Sequence, residues 1–231
     1  MKKRIVAVLM VGLCMLSLMG CGSKSQSQKT DTKETEQGTT EVADKTETEK
    51  DDMSEVTFDY TVLDDGTLSI WSYNAETVPE VFEIPVQIDG QTVTEIRGSL
   101  FTLEDQVKEV IIPETVTSIG KDTFSLSTSI EKIQVNGNVE ELAKNAFFGC
   151  ESLKTLSFKD GLKVIGEGAI AGCDHLTDIY LPASVEDVSG TTNFGACADT
   201  LRIHVPAGSV AENVVTEAVS EAESNIEVIA E

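Results

Sequence analysis

The feature that most constrains this chain is a set of apolar positions that return every 23 residues. Val110, Ile133, Leu156 and Ile179 keep that step, as do Ile112, Val135, Phe158 and Leu181. So do Val116, Val139, Leu162 and Val185, and likewise Ile119, Leu142, Ile165 and Val188. Phe124, Phe147 and Ile170 form another column, which Phe194 joins after 24. Cys150 and Cys173 keep the step and Cys197 arrives one residue late, so an insertion lies between Val188 and Phe194. A fold assembled from elements of unequal length has no reason for such a register. A stack of equal coils requires it, because no coil can bury its own apolar face and each must lean on its neighbours.

Within a unit, Leu176-x-x-Ile179-x-Leu181-Pro182 predicts a short strand whose Ile179 and Leu181 point the same way. Pro182 then ends the ladder, having no N–H to donate. Val185 and Val188 predict an inward-turning second segment, with Gly120 or Gly166 relaxing the bend behind such segments. The Phe124-type position, followed by Gly149-Cys150 or Gly172-Cys173, predicts a turn or short helical piece that completes the coil. A period of this length falls within the range of leucine-rich repeats, and each unit would bury about six side chains.

The units resemble the BspA-like leucine-rich repeats of bacterial surface proteins, read roughly as Leu-x-x-Ile-x-Ile-Pro-x-x-Val-x-x-Ile-Gly-x-x-Ala-Phe-x-x-Cys. The run is fullest in Val107 to Ser127, Ile130 to Cys150, Leu153 to Cys173 and Leu176 to Cys197, and the resemblance covers residues 82 to 206. Asn136 and Lys159 replace the Pro, Ser127 replaces the Cys, and Ser189-Gly190-Thr191 loosens the last of these units. The resemblance implies a leucine-rich repeat solenoid, horseshoe-like and made mostly of short strands and turns, exposed on a bacterial surface.

Both ends of the stack need covers. Upstream, Ile84-Pro85 reads as an earlier strand end, and extra residues around Ile88-Asp89-Gly90 lengthen that coil. Phe58-x-Tyr60-x-Val62 and Leu68-x-Ile70 alternate around Asp65-Gly66, predicting a β-hairpin with Trp71 at its edge that covers the first coil. Downstream, Ser209 and Glu212 have capping-box spacing, and Val210, Val214, Ala218 and Ala222 predict the buried face of a helix. Ile226-Glu227-Val228-Ile229 is too short for another unit and reads as a short strand or extended tail. The expected organisation is a signal over 1–20, a linker over 21–55, an N-terminal β cap with an irregular first repeat over 56–106, repeats over 107–206 and a C-terminal cap over 207–231.

The segment before the repeats sets the expected compartment. Lys2, Lys3 and Arg4 precede an apolar run from Ile5 to Gly20, too short for a comfortable membrane span, and Leu18-Met19-Gly20-Cys21 resembles a bacterial lipobox. That resemblance implies cleavage before Cys21, lipid on its thiol, and attachment to the outer face of a bacterial membrane. From Gly22 to Glu55 only Val42, Ala43 and Met53 are apolar, a composition that cannot offset its ordering entropy. The whole chain carries 40 Asp and Glu against 17 Lys and Arg, a net charge of −23. Losing Lys2, Lys3 and Arg4 makes it more acidic still, so lipid rather than basic charge would hold it to a membrane, and nucleic acid is excluded as a partner.

Chemistry-bearing residues are few. Cys150, Cys173 and Cys197 fall at equivalent coil positions, read chiefly as buried thiols, with a disulfide between neighbours or a metal site as the alternatives. Gly166-Glu167-Gly168 lacks the third glycine and the strand-to-helix setting of a dinucleotide loop. His175 and His204 have no Ser at a recognisable elbow, and Glu140-Glu141 lacks the alternation of a calcium loop. No catalytic residue, cofactor or metal is expected.

The outward strand positions remain. If Val110 and Ile112 face inward, Ile111, Gln134, Ser157, Tyr180 and His204 form one outward column, the candidate binding face. Lys108, Glu131, Lys154 and Thr177 form a charged column beside it, and Glu109, Lys132, Thr155 and Asp178 another, suited to cross-strand pairing. The expected function is a monomeric, tethered binding or adhesion module for an extracellular protein or glycan. A structural envelope lipoprotein without a discrete ligand is the alternative, and an enzyme the remote one.

Overall fold

The structure is a computed structural model that describes residues 53, 56–102, 104–190, 192–198, 200–221 and 226–231. The expected signal, Cys21 and nearly all of the linker lie outside the described residues, as does Ala222. The described chain opens with the hairpin of β1 (Thr57–Val62) and β2 (Leu68–Asn74), followed by β3 (Val81–Glu83), β4 (Gln87–Ile88) and β5 (Gln91–Ile96). The repeats then alternate longer and two-residue strands: β6 (Glu109–Ile112), β7 (Ser118–Ile119), β8 (Lys132–Val135), β9 (Glu141–Leu142), β10 (Thr155–Phe158), β11 (Val164–Ile165), β12 (Asp178–Tyr180) and β13 (Asp187–Val188). β14 (Arg202–Val205), helix α1 (Val210–Glu221) and β15 (Glu227–Ala230) complete it.

Two sheets result, because each unit contributes one strand to each. The front sheet runs β3-β6-β8-β10-β12-β14-β15 and the back sheet β1-β2-β5-β7-β9-β11-β13. Registers follow the repeat: Val110 pairs with Ile133, Ile133 with Leu156, Leu156 with Ile179 and Ile179 with Ile203. In the back sheet Ile119 pairs with Leu142 and Leu142 with Ile165. Those side chains are fully buried between the sheets, each contributing about 1.5–3 kcal/mol of transfer free energy. The second segment of each unit is therefore a strand, whereas the sequence predicted only an inward turn. Two residues are too few to show alternation, so the back sheet had no periodic signature of its own.

Glycine acts differently from the expectation. Neither Gly120 nor Gly166 has a left-handed φ, so neither relaxes a bend. At Gly166 a Cβ would stand 2.5 Å from the Leu142 carbonyl oxygen one coil upstream, so the position is glycine because two coils approach closely. Several positive φ values instead lie in the turns that join back strand to front strand, at Asp122 and Asn145 and at Leu126, Gly149 and Gly172. Between those turns Phe101, Phe124 and Phe147 stack with centroids 5.6 and 5.2 Å apart.

The hairpin continues the back sheet, β2 lying parallel to β5, and so covers the first coil. A bulge between Asp59 and Tyr60 breaks the alternation of β1, leaving Phe58 buried and Val62 exposed. Gln87–Ile88 and Gln91–Ile96 make a small antiparallel hairpin around Asp89-Gly90, which accounts for the lengthened coil. At the other end the capping box forms: Glu212 N–H donates to Ser209 Oγ at 3.2 Å and Gly208 N–H to Glu212 Oε2 at 2.7 Å. The buried face of α1, however, is Ala211, Val215 and Val219, one residue along from the predicted one, and Val210 is exposed. Two adjacent apolar columns run along this helix, and docking against the last coil selects between them. β15 lies parallel to β14, so of the two readings of this segment the short strand is the one formed, and it closes the front sheet.

Candidate binding face

The register carries Ile111, Gln134, Ser157, Tyr180 and His204 into one unbroken row on the outward side of the front sheet. Tyr180 is 42% exposed, and the other four are half-buried. The charged columns pair as their alternation implied. Lys132 Nζ lies 2.9 Å from Glu109, Lys154 Nζ 2.5 Å from Glu131, and Arg202 2.8 Å from Asp178. Gln134 Nε2 also donates to Glu109 Oε1. Exposed pairs of this kind add little stability each, but they hold side chains across the face.

The distinctive local chemistry is at the downstream end of the row. The Tyr180 and His204 rings stack with centroids 4.4 Å apart and planes 13° from parallel. His204 Nε2 is 3.0 Å from Asp178 Oδ1 and its Nδ1 is 2.6 Å from Glu231 Oε1. Burial disfavours the imidazolium, but the two carboxylates outweigh it and raise the His204 pKa above its ordinary value. Burial likewise works against the Asp178 carboxylate, yet hydrogen bonds from Arg202, His204 and Thr177 bring its pKa down to about 2. The row placed Tyr180 beside His204 from sequence. The clamp of Asp178, Arg202 and Glu231 was missed, although Asp178 and Arg202 stand one alternation away from the stacked rings in the same strands.

The remaining candidates take simpler places. Cys150, Cys173 and Cys197 are free thiols, the first two buried. Their Sγ atoms donate to the carbonyls of Phe124, Phe147 and Ile170 at 3.0, 3.2 and 3.3 Å. The neighbouring thiol and burial push the Cys173 and Cys197 thiols up, away from the thiolate that reactive chemistry needs. His175 Nδ1 lies 2.7 Å from the Glu151 carbonyl oxygen. Among the described residues no three His, Cys, Asp or Glu side chains form a metal-binding group, and no helix is long and apolar enough to cross a membrane. A groove of about 480 Å³ borders the C-terminal ends of the middle front strands, lined by Glu114, Asn136, Asn138, Phe158, Lys159, Asp160 and Pro182. Its sequence signal was the loss of proline at positions 136 and 159.

Comparison with known proteins agrees with this architecture. A family model described as a BspA type leucine rich repeat region matches residues 84–209 in 6 copies. A leucine rich cell surface protein from Faecalibacterium prausnitzii is similar in structure, with 26% identity and a TM-score of 0.58 over 68% of this chain. The pneumococcal vaccine antigen PcpA shares the fold at 18% identity, with a TM-score of 0.52 over 74% of this chain. The chain spans 40% of the first protein and 47% of the second. No match to a curated protein is found.

Proposed function

The chain belongs to the BspA-type leucine-rich repeat family, and we propose that it is an exported, lipid-anchored bacterial surface protein whose front sheet recognises an extracellular protein or glycan. Export and lipid attachment at Cys21 are supported by the basic start, the apolar run and Leu18-Met19-Gly20-Cys21. The acidic, apolar-poor linker then supplies reach between membrane and repeats. The observation that carries binding is Tyr180, an exposed ring stacked on His204 in a strand that has front-sheet neighbours on both sides. A partner meeting Ile111, Gln134, Ser157, Tyr180 and His204 would find a row already in place, at little ordering cost. Tyrosine adds contact area and a directional hydroxyl, the combination enriched at interface hot spots.

The second reading is an envelope-organising lipoprotein without a discrete ligand, favoured by the internal pairing of the charged columns. Affinity capture from cell-surface extracts separates the two, with Tyr180→Ala and Lys163→Ala compared for capture and for melting. Loss of capture with retained melting in Tyr180→Ala is the expected result; equal capture by all forms favours the structural reading. For the anchor, Cys21→Ser abolishes labelling by a radiolabelled fatty acid, and unchanged labelling overturns the assignment.

A further inference from the structure

We propose that the groove at the strand ends of the middle coils binds a neutral sugar ring. The position after each front strand is proline at Pro85, Pro113, Pro182 and Pro206, but Asn136 and Lys159 in the two coils between. Having N–H groups, these two extend the ladder one step, donating to Ile112 O at 2.9 Å and Val135 O at 3.2 Å. The chain then dips: at Gly137 a Cβ would stand 2.1 Å from the Val116 carbonyl oxygen, so no larger residue fits. In the next coil Gly161 N–H donates to Ser184 Oγ at 3.0 Å, and that hydroxyl donates to Leu162 O at 2.8 Å. These contacts fix the backbone on either side of the groove. Its volume of about 480 Å³ lies in the ordinary range for small-molecule sites.

The lining groups are unspent. Among the described residues every lysine except Lys159 has a hydrogen-bond or ion-pair partner. The carboxamides of Asn136 and Asn138 have no protein partner, as at Asn74 and Asn145, but here two of them border one groove. A carboxamide both donates and accepts, which suits adjacent hydroxyls. Asp160 adds acceptors and Lys159 donors. Phe158, 9% exposed and set edge-on against Phe147, and the buried Pro182 give the groove an apolar floor, and the polar groups around it face the sugar hydroxyls. An anionic ligand would bring its charge beside Glu114 and Asp160 on a chain of net charge −23, so the sugar is neutral. Tyr180 and His204 do not line the groove, and the inference stands apart from recognition by the front-sheet row.

The test is saturation-transfer NMR on the full-length chain with the methyl glycosides of glucose, galactose and mannose as probes. Transfer to at least one glycoside at millimolar concentration is expected. It should fall at least fivefold in Asn136→Ala/Asn138→Ala and in Lys159→Met, with melting unchanged, and persist in Tyr180→Ala. Absence of transfer to all three overturns the proposal, as does transfer that the groove substitutions leave intact. Glycyl-glutamine serves as a zwitterionic control of zero net charge; groove-dependent binding of it without binding of the glycosides overturns the sugar assignment. Failure of Tyr180-dependent capture leaves these outcomes unchanged, so the two readings fall separately.

Discussion

The two halves of the repeat stack share one period and close in different ways. Upstream, Phe58, Tyr73, Phe82, Phe101, Phe124 and Phe147 form a continuous aromatic chain, each ring within 6.0 Å of a neighbour. Downstream the aromatic column gives way to Ile170, and Phe194 returns one residue late. There Asn193, only 1% exposed, bridges the gap: its Oδ1 accepts from Ala169 N–H at 2.8 Å and its Nδ2 donates to Ser189 O at 2.7 Å. At the equivalent position the regular coils have Thr123, whose hydroxyl donates to Gly120 O at 2.7 Å, and then Ala146 and Ala169. Beyond it, His204 links its own strand to Asp178 of β12 and to Glu231 just after β15. An inserted residue is thus bridged by a carboxamide that bonds both the preceding coil and its own turn, where equal spacing upstream lets the rings stack directly. The upstream closure depends on volume, and the downstream one on donors, acceptors and protonation.

The largest expected effect tests the volume side. Phe124→Ala opens a cavity between Phe101 and Phe147 and should cost about 3–5 kcal/mol in urea denaturation; a loss below about 1 kcal/mol would show that the stack carries little stability. Next, Asn193→Ala leaves the Ala169 N–H and the Ser189 carbonyl without their partner. A loss of about 1–3 kcal/mol is expected, and wild-type stability would mean that the insertion holds itself. The pH response of the downstream clamp is smaller. His204 has a raised pKa, so its contribution is complete below the ordinary 6.5 and fades as pH rises through the raised value. Asp178 has a lowered pKa, so its contribution is complete above the ordinary 3.8 and fades as pH falls toward about 2. Melting of wild type and His204→Gln from pH 5 to 8.5 should converge at the alkaline end, and parallel curves would contradict the clamp. Smallest, Leu126→Gly relieves a left-handed φ of 58° in an exposed upstream turn. A gain below about 1 kcal/mol is expected, and a loss would show that the Leu126 side chain contributes more than its backbone strain costs.

What the sequence disclosed follows from where the physics is periodic. Val110, Ile133, Leu156 and Ile179 were placed correctly because burial between identical neighbours repeats at a fixed step. The capping box at Ser209 was equally legible, being local. The face of α1 was misplaced by one residue because Val210 and Val214 are as apolar as Ala211 and Val215, and only contact with the last coil distinguishes them. The outward row emerged whole, yet its clamp did not, since Glu231 reaches His204 from just beyond a terminal segment whose pairing partner the sequence did not specify. Asn136 and Lys159 were noted as departures from a pattern; that they open a groove depends on Gly137, whose tight fit against Val116 needs three dimensions to be seen.

The ladders in both sheets join residues about one coil apart, so these hydrogen bonds run along the axis of the stack. A load applied along that axis therefore meets one coil's bonds at a time, and the force that frees one coil is not shared by those behind it. Under tension such a stack yields by peeling from an end. Each release of 23 residues delivers on the order of 75 Å of extended chain. The stack is in this sense a series of 23-residue steps, each with an intact neighbour on which a released coil can redock.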